Sequence, residues 1–209
     1  MQNSNRIPLD ELDETSIERN PINLFQLWLE DARRANIHLP EAMTVATSTP
    51  AAKPSARMVL LKQVDENGFV FFTNYRSAKA RELDSNPQAA LVFYWPQLER
   101  QVRAEGRVAR ISSEESADYF RTRPRESQIG AWASPQSDVI AGREVLEQRA
   151  AEVEQIYCDR EIDCPDYWGG YRVIPDRIEF WKGRVGRLHD RILYQRSKDG
   201  VWTISRLAP

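Results

Sequence analysis

The dipeptide Asn67-Gly68 constrains this chain most. It stands between two runs rich in apolar and β-branched side chains, Ala56–Val64 and Phe69–Thr73. Asn-Gly tolerates the positive φ that a tight reversal demands, so Glu66-Asn67-Gly68 predicts a hairpin and with it an antiparallel sheet. Lys198-Asp199-Gly200 predicts a second turn, between strands at Ile192–Arg196 and Val201–Arg206. Further strands are expected at Ala42–Ser48, Ala89–Trp95, Gln101–Ile111, Gly170–Ile174 and Arg177–Trp181.

Helices punctuate this order. Asn20-Pro21 reads as an N-cap with proline at the first helical position. Ile22, Phe25, Leu29 and Ala32 follow at helical spacing, widened by Leu24, Leu27 and Trp28, and Pro40 ends the unit. Ser77 caps Ala78–Ser85, which Asn86-Pro87 stops. Ser112 or Ser113 caps a helix through Phe120, with Glu114-Glu115 favourably placed in its first turn, and Arg123-Pro124-Arg125 breaks it. Residues 126–138 read as a loop. Ala141–Tyr157 reads as an amphipathic helix, with Val145, Ala150 or Arg149, Val153 and Ile156 on one face. Residues 1–19 are polar, without a periodic apolar face, and are expected to form a mobile arm; residues 20–209 form one domain. The fold class expected is α+β, mainly β: a small closed antiparallel barrel with peripheral helices.

Composition excludes several functions. At 209 residues the chain buries a core without disulfide or metal staples. Its 29 basic and 31 acidic residues leave a net charge of −2, which argues against nucleic-acid binding. No run approaches a membrane span, and the start Met1-Gln2-Asn3 opens no apolar signal core, so a cytoplasmic protein is expected. Cys158 and Cys164 fit free thiols in a reducing compartment. Two histidines and no CxxC argue against a protein-bound metal.

No phosphate loop, dinucleotide fingerprint or nucleophile elbow is present. What remains is a set of cations at strand and helix ends. Arg57 and Lys62 are five residues apart, so an ideal strand points them to opposite faces, towards two anions or towards solvent. Ser77-Ala78-Lys79 opens a helix whose free N–H groups suit phosphate, or is an ordinary cap. Tyr119, Arg123, Arg125 and Ser127 make a second anion-friendly group, or a basic helix end. In Arg187-Leu188-His189-Asp190-Arg191, His189 is an orienting or proton-handling group, or a loop histidine paired with Asp190. Trp181 is a candidate wall for a planar ligand. A chain with cation seats and no nucleophile or metal of its own points to a bound organic cofactor.

Three segments carry a resemblance: Arg57-Met58-Val59-Leu60-Leu61-Lys62, the stretch from Arg123 to Ser134, and Glu179-Phe180-Trp181 through Arg191, with the terminal Arg206-Leu207-Ala208-Pro209. Together they resemble the pyridoxamine/pyridoxine 5′-phosphate oxidase family over about residues 20–209. The resemblance implies an FMN-binding split β-barrel that works as a homodimer, with FMN at the subunit interface. It implies that Arg57 and Lys79 hold the FMN phosphate while Met58, Val59, Leu60, Leu61 and Lys62 run beside the flavin. Phe72, Thr73, Gln101, Gln136, Ser137, Trp181 and Arg191 would complete the cofactor site. Lys62, Tyr119, Arg123 and Ser127 would hold the substrate phosphate, and Arg187, Leu188 and His189 would cover the pyridine ring, with Arg187 and His189 catalytic. The implied reaction takes a hydride from substrate C4′ to the flavin, makes pyridoxal 5′-phosphate and reduces O2 to H2O2. Three positions depart from the family pattern: Ala78 where many members have arginine, Leu39 where some have aspartate, and the arm, where Ser4 and Ile7 replace an Arg-x-x-Tyr segment. Related readings are a flavin oxidase of the phenazine-biosynthesis type and a flavin- or pyridoxal-phosphate-binding protein without turnover.

Overall fold

The computed structural model describes residues 12–209. Ser4 and Ile7 lie outside the described residues, as does most of the arm expected over residues 1–19. Residues 12–19 lie against the body. Leu12 is buried, Arg206 reaches Leu12 O and the Glu14 carboxylate, and Tyr194 donates its hydroxyl to Glu18 O at 2.6 Å.

Helix α1 spans Pro21–Arg34, and the Asn20 side chain accepts from Ile22 N as its N-cap. Its buried stripe is Ile22, Leu24, Phe25, Trp28, Leu29 and Ala32; Leu27, expected in that stripe, faces out at 50% exposure. Strands β1 (Ala42–Ser48), β2 (Pro54–Leu60), β3 (Gln63–Asp65) and β4 (Gly68–Asn74) follow. The Asn67-Gly68 reversal is present, and Gly68 sits at φ 125°, where a side chain would be strained. Helix α2 (Ala78–Ser85) has Ser77 as its N-cap. Then come β5 (Gln88–Trp95), β6 (Arg100–Arg110) and α3 (Ser113–Arg121), which starts on a reciprocal capping pair between Ser112 and Glu115. Helices α4 (Arg125–Ala133) and α5 (Arg143–Ile156) precede β7 (Trp168–Lys182), β8 (Asp190–Arg196) and β9 (Trp202–Arg206).

All nine strands join one antiparallel sheet, in the order β2-β1-β5-β6-β7-β4-β3, with β8 and β9 continuing from β7. One edge of β7 is shared: its first half pairs with β4, its second half with β8. The sheet therefore curls without closing. β2 and β3 are joined through Leu61 and Lys62 but are not paired, which corrects the closed barrel to a split one. Phe25, Phe69, Phe93, Trp95, Phe180 and Tyr194 fill the curl, and a smaller cluster of Phe120, Ile129, Tyr157, Ile162 and Trp168 sits under the helices. No helix among the described residues is long and apolar enough to cross a membrane.

Three local expectations are corrected. Residues 126–138 are not all loop: Arg125–Ala133 is α4, because Pro124, which ends one helix, sits at the N-cap of the next and Ile129 and Ala133 find the second core. The strands expected at Gly170–Ile174 and Arg177–Trp181 are one strand. Pro175 fits because the β6–β7 register shifts between Glu105 and Gly106, and Gly106, having no side chain, lets the Ile174 carbonyl approach. The run Ala56–Val64 is two strands, broken at Leu61 and Lys62. On α5, the expected apolar face is half-covered by α4: Val145, Ala150 and Val153 are partly buried and Ile156 is exposed.

Candidate functional site

The break between β2 and β3 decides the geometry of the first site. Arg57 and Lys62 do not sit on opposite faces of one strand, because the chain turns after Leu60. Both line one cavity of about 310 Å³, which corrects the expectation from ideal strand spacing. Met58, Val59 and Leu60 form its floor with them; Phe72 and Thr73 come from β4, Lys79 from α2, Tyr119 and Arg123 from the end of α3, and Gln136 and Trp168 close it.

Lys79 is 8% exposed, although lysine is rarely buried. Its ammonium donates to Gln136 Oε1 at 3.0 Å and Thr73 Oγ1 at 3.1 Å. Burial and then the neighbouring Arg57 charge push its pKa down to about 8, against the pull of Glu82. Arg57 reaches Thr47 Oγ1 at 2.5 Å and Ser55 Oγ at 2.6 Å. At the start of α2, the Ala78 N–H donates to Ser137 Oγ, and Ser137 itself has a left-handed φ of 77°.

Arg123 makes the second cation seat. Its guanidinium lies 4.6 Å over the Trp168 ring, and its buried Nη1 has no hydrogen-bond partner. Burial lowers its pKa, yet an arginine stays charged. Beside it Tyr119, Phe72 and Trp168 stack nearly parallel, at 4.0 and 5.2 Å between successive ring centres. Ser127, in the first turn of α4, is half-buried and does not line the cavity; Leu61 is buried in the core, and Ser137 stands beside the cavity rather than in its wall.

The remaining candidates gather elsewhere. Gln101, Trp181 and Arg191 are register neighbours on β6, β7 and β8. Arg191 makes a two-pronged bond to the buried Glu179 carboxylate, at 2.8 and 3.1 Å, and donates to Ala208 O. The loop from β7 to β8 carries Arg187 at φ 63° and the exposed Leu188. His189 packs on Trp181, with ring centres 4.7 Å apart. Its Nδ1 accepts the Arg184 N–H at 3.0 Å, so a neutral ring carries its proton on Nε2. Asp190 bonds Arg184 and Arg206 instead of His189, so the alternative of a histidine paired with Asp190 is not what the structure holds.

The candidates thus fall into two separated groups, or half-sites. Thr73 faces Gly169 on β7, whereas Gln101 and Arg191 face Trp181, twelve residues further along the same strand. At about 3.3 Å per residue that is roughly 40 Å of strand. Glu82, Ser55 and Thr47, which surround Arg57, went unread; Glu82 lies three residues beyond Lys79, a helical spacing that puts both on one face of α2.

Comparison with known proteins gives this arrangement its lineage. A family model described as pyridoxamine 5′-phosphate oxidase matches residues 29–157, and one described as the pyridoxine 5′-phosphate oxidase C-terminal dimerisation region matches residues 168–209. The chain is 57% identical over 201 residues to the pyridoxine/pyridoxamine 5′-phosphate oxidase of Trichormus variabilis, covering 96% of this chain and 94% of that one. It is 55% identical over 198 residues to the enzyme of that name from Rubrobacter xylanophilus, covering 95% and 91%. Among solved structures, PhzG from Burkholderia lata 383 in complex with tetrahydrophenazine-1-carboxylic acid superposes with a TM-score of 0.90 at 30% identity, covering 96% and 98%. The relatives at 55–57% stand well above this neighbour, and both half-sites fall inside matched segments. On this agreement of sequence and fold, the chain belongs to the pyridoxamine 5′-phosphate oxidase family.

Proposed function

We propose that this protein is an FMN-dependent oxidase that converts pyridoxamine 5′-phosphate and pyridoxine 5′-phosphate to pyridoxal 5′-phosphate. The single observation that carries the reading is a cavity with two separate cation seats, Lys79 with Arg57 and Arg123 with its unpartnered Nη1, suited to two phosphates. The residues fit FMN: a buried ammonium with a depressed pKa is stabilised by a phosphate, and the β2 backbone beside it offers a flat wall. FMN, when bound, supplies the acceptor for the hydride lost from substrate C4′.

The side chains do the positioning. Arg57 and Lys79 hold the FMN phosphate; Met58, Val59, Leu60, Leu61 and Lys62 border the flavin, with Phe72, Thr73, Gln136 and Ser137 at its phosphate-side edge. Lys62, Tyr119 and Arg123, which line the cavity, take the substrate phosphate, and Ser127, outside that lining, is assigned to it by the family resemblance alone. Arg187 and Leu188 cover the pyridine ring, and His189, its tautomer held by the Arg184 amide, donates from Nε2. No strong general base is required, since loss of hydride from C4′ leaves only an easily released proton.

The family's C-terminal dimerisation region makes the working unit a homodimer. In our reading FMN lies at the subunit interface, where Gln101, Trp181, Arg187, His189 and Arg191 of one chain face the cavity of the other. That placement is supported by the distance along β7 between the half-sites. Oxygen is the terminal acceptor and leaves as H2O2, in the cytoplasm, where Cys158 and Cys164 stay free. Aerobic turnover of pyridoxine 5′-phosphate by FMN-loaded protein is expected to give pyridoxal 5′-phosphate and peroxide in equal amounts. FMN held without either product, from the amine substrate as well, would leave a binding protein instead.

Lys79 gives the FMN seat a pH signature. With its folded pKa near 8 against 10.5 unfolded, the unfolded chain holds more protons between those values. Apo stability therefore rises with pH from about 8 to 10.5. A bound phosphate favours the ammonium and reverses the shift, so above pH 8 FMN binding takes up a proton. The FMN Kd, read by flavin fluorescence, is expected to stay level between about pH 7 and 8 and to weaken by up to about tenfold per unit above that. Lys79→Met removes the bend; a wild-type Kd level through about pH 9.5 would take Lys79 off the phosphate.

A further inference from the structure

Glu82 lies outside every motif that carried the sequence reading, yet it organises one wall of the cavity. Its Oε2 accepts from Ser55 Oγ at 2.6 Å, from Thr47 Oγ1, and from Arg57 Nη2 at 3.3 Å. The same two hydroxyls accept from Arg57, whose Nη1 donates to Thr47 and Nη2 to Ser55. A hydroxyl owns one proton. Both give theirs to the carboxylate, so both turn lone pairs towards the guanidinium. Glu82 thus sets the direction of two parallel relays, each running from Arg57 through a hydroxyl to Oε2.

The strands hold this unit rigid. Thr47 and Ser55 are register partners on β1 and β2, and Glu82 projects onto the pair from α2. Burial pushes the Glu82 carboxyl up, but the Ser55 and Thr47 bonds and the Arg57 charge together outweigh it, and its pKa falls below the usual carboxylate value. The group is therefore an anion at neutral pH. Its place on α2 also ties Arg57 to Lys79, one turn earlier, so the two cations are registered to each other through one helix. The first residue of that helix, Ala78, brings no charge that could take over from a displaced Arg57.

We propose that Glu82 is a positioning residue that aims Arg57 at the FMN phosphate through the Thr47 and Ser55 hydroxyls. The proposal rests on the reading of Arg57 as a phosphate ligand. It concerns the phosphate end of the cofactor alone, so it predicts a change in selectivity between FMN and riboflavin, which share the ring and differ in the phosphate. A role in holding the barrel together would weaken both ligands alike.

The test is the Kd of apo protein for FMN and for riboflavin, by fluorescence quenching, in wild type, Arg57→Ala, Glu82→Ala and Glu82→Gln. Arg57→Ala is expected to weaken FMN at least about tenfold, Glu82→Ala about tenfold, and Glu82→Gln, which keeps an acceptor, about threefold. Riboflavin binding is expected to stay at the wild-type value in all of them. If Arg57→Ala leaves FMN affinity intact, the phosphate reading of Arg57 fails, and Glu82 with it. If Arg57→Ala weakens FMN while the Glu82 variants bind it as tightly as wild type, or more tightly, the proposal alone is overturned and the carboxylate is a bystander or a competitor for the guanidinium. Parallel loss of both ligands overturns it too. Glu82→Gln keeps volume and shape, so it decides the matter even where Glu82→Ala folds poorly.

Discussion

Mixing two inactive variants should restore activity. On the proposed assignment, chains carrying Lys62→Ala with Arg123→Ala lack the substrate-phosphate seat, and chains carrying Arg187→Ala lack the cation over the pyridine ring. Each homodimer, assayed below KM, is expected to run at less than about one hundredth of wild type, since each has lost charge-assisted contacts to the substrate. On the proposed placement of FMN at the interface, a mixed dimer with two-fold symmetry pairs the cavity of each chain with the loop of the other. One of its two sites then carries both defects and the other carries neither. Random re-pairing of equal amounts makes half the dimers mixed, so recovery should reach about a quarter of wild type, and a purified mixed dimer about half.

The expectation comes from β7. Trp168 at its start walls the cavity, and Trp181 near its end packs on His189. The two groups stand at opposite ends of this fifteen-residue strand, an arrangement that in our reading a second chain completes. Arg187 has a left-handed φ and Leu188 is exposed beside it, a surface conformation suited to being covered by a second chain. The outcome that sinks this arrangement is a purified mixed dimer no more active than the mean of its parents, because each site would then draw both halves from one chain.

Much of this was legible where the governing physics is local. The Asn67-Gly68 turn, the Ser77 cap and the bounds of α2 depend on a few neighbouring residues, and all stand in the structure. Legibility failed where a distant partner decides. Pro124 reads as a helix break and the chain around Pro175 as a gap between two strands, but Pro124 serves as the N-cap residue of α4 and Pro175 sits where β6 and β7 slip register opposite Gly106. An ideal continuous strand points Arg57 and Lys62 to opposite faces, and the break at Leu61, which is buried, removes that premise. The candidate residues can be named one by one from the sequence. Their partition into two half-sites cannot be read there, since it exists only in the pairing of β7 with β4 at one end and with β6 and β8 at the other.

Arg123 should show the sharpest split between binding and turnover. Its Nη1 is buried without a partner, so the free site bears the cost of a desolvated donor, about 1–3 kcal/mol. A substrate phosphate relieves that cost, and the charge-assisted bond that results is worth about 1.5–3 kcal/mol net. Arg123→Ala is therefore expected to raise KM for pyridoxine 5′-phosphate by about 10- to 150-fold. In our reading the phosphate is remote from C4′, so the contact is made equally in the ground and transition states, and kcat should change by less than about twofold. Arg123→Lys should fall between, because lysine keeps the charge but loses both the fork and the stacking on Trp168. The control is pyridoxine without its phosphate: kcat/KM for that poor substrate should be the same in wild type and Arg123→Ala. A parallel fall with both substrates would mean that Arg123 supports the Tyr119–Phe72–Trp168 stack rather than a phosphate, and Lys62 would be the one cation left to the substrate-phosphate seat.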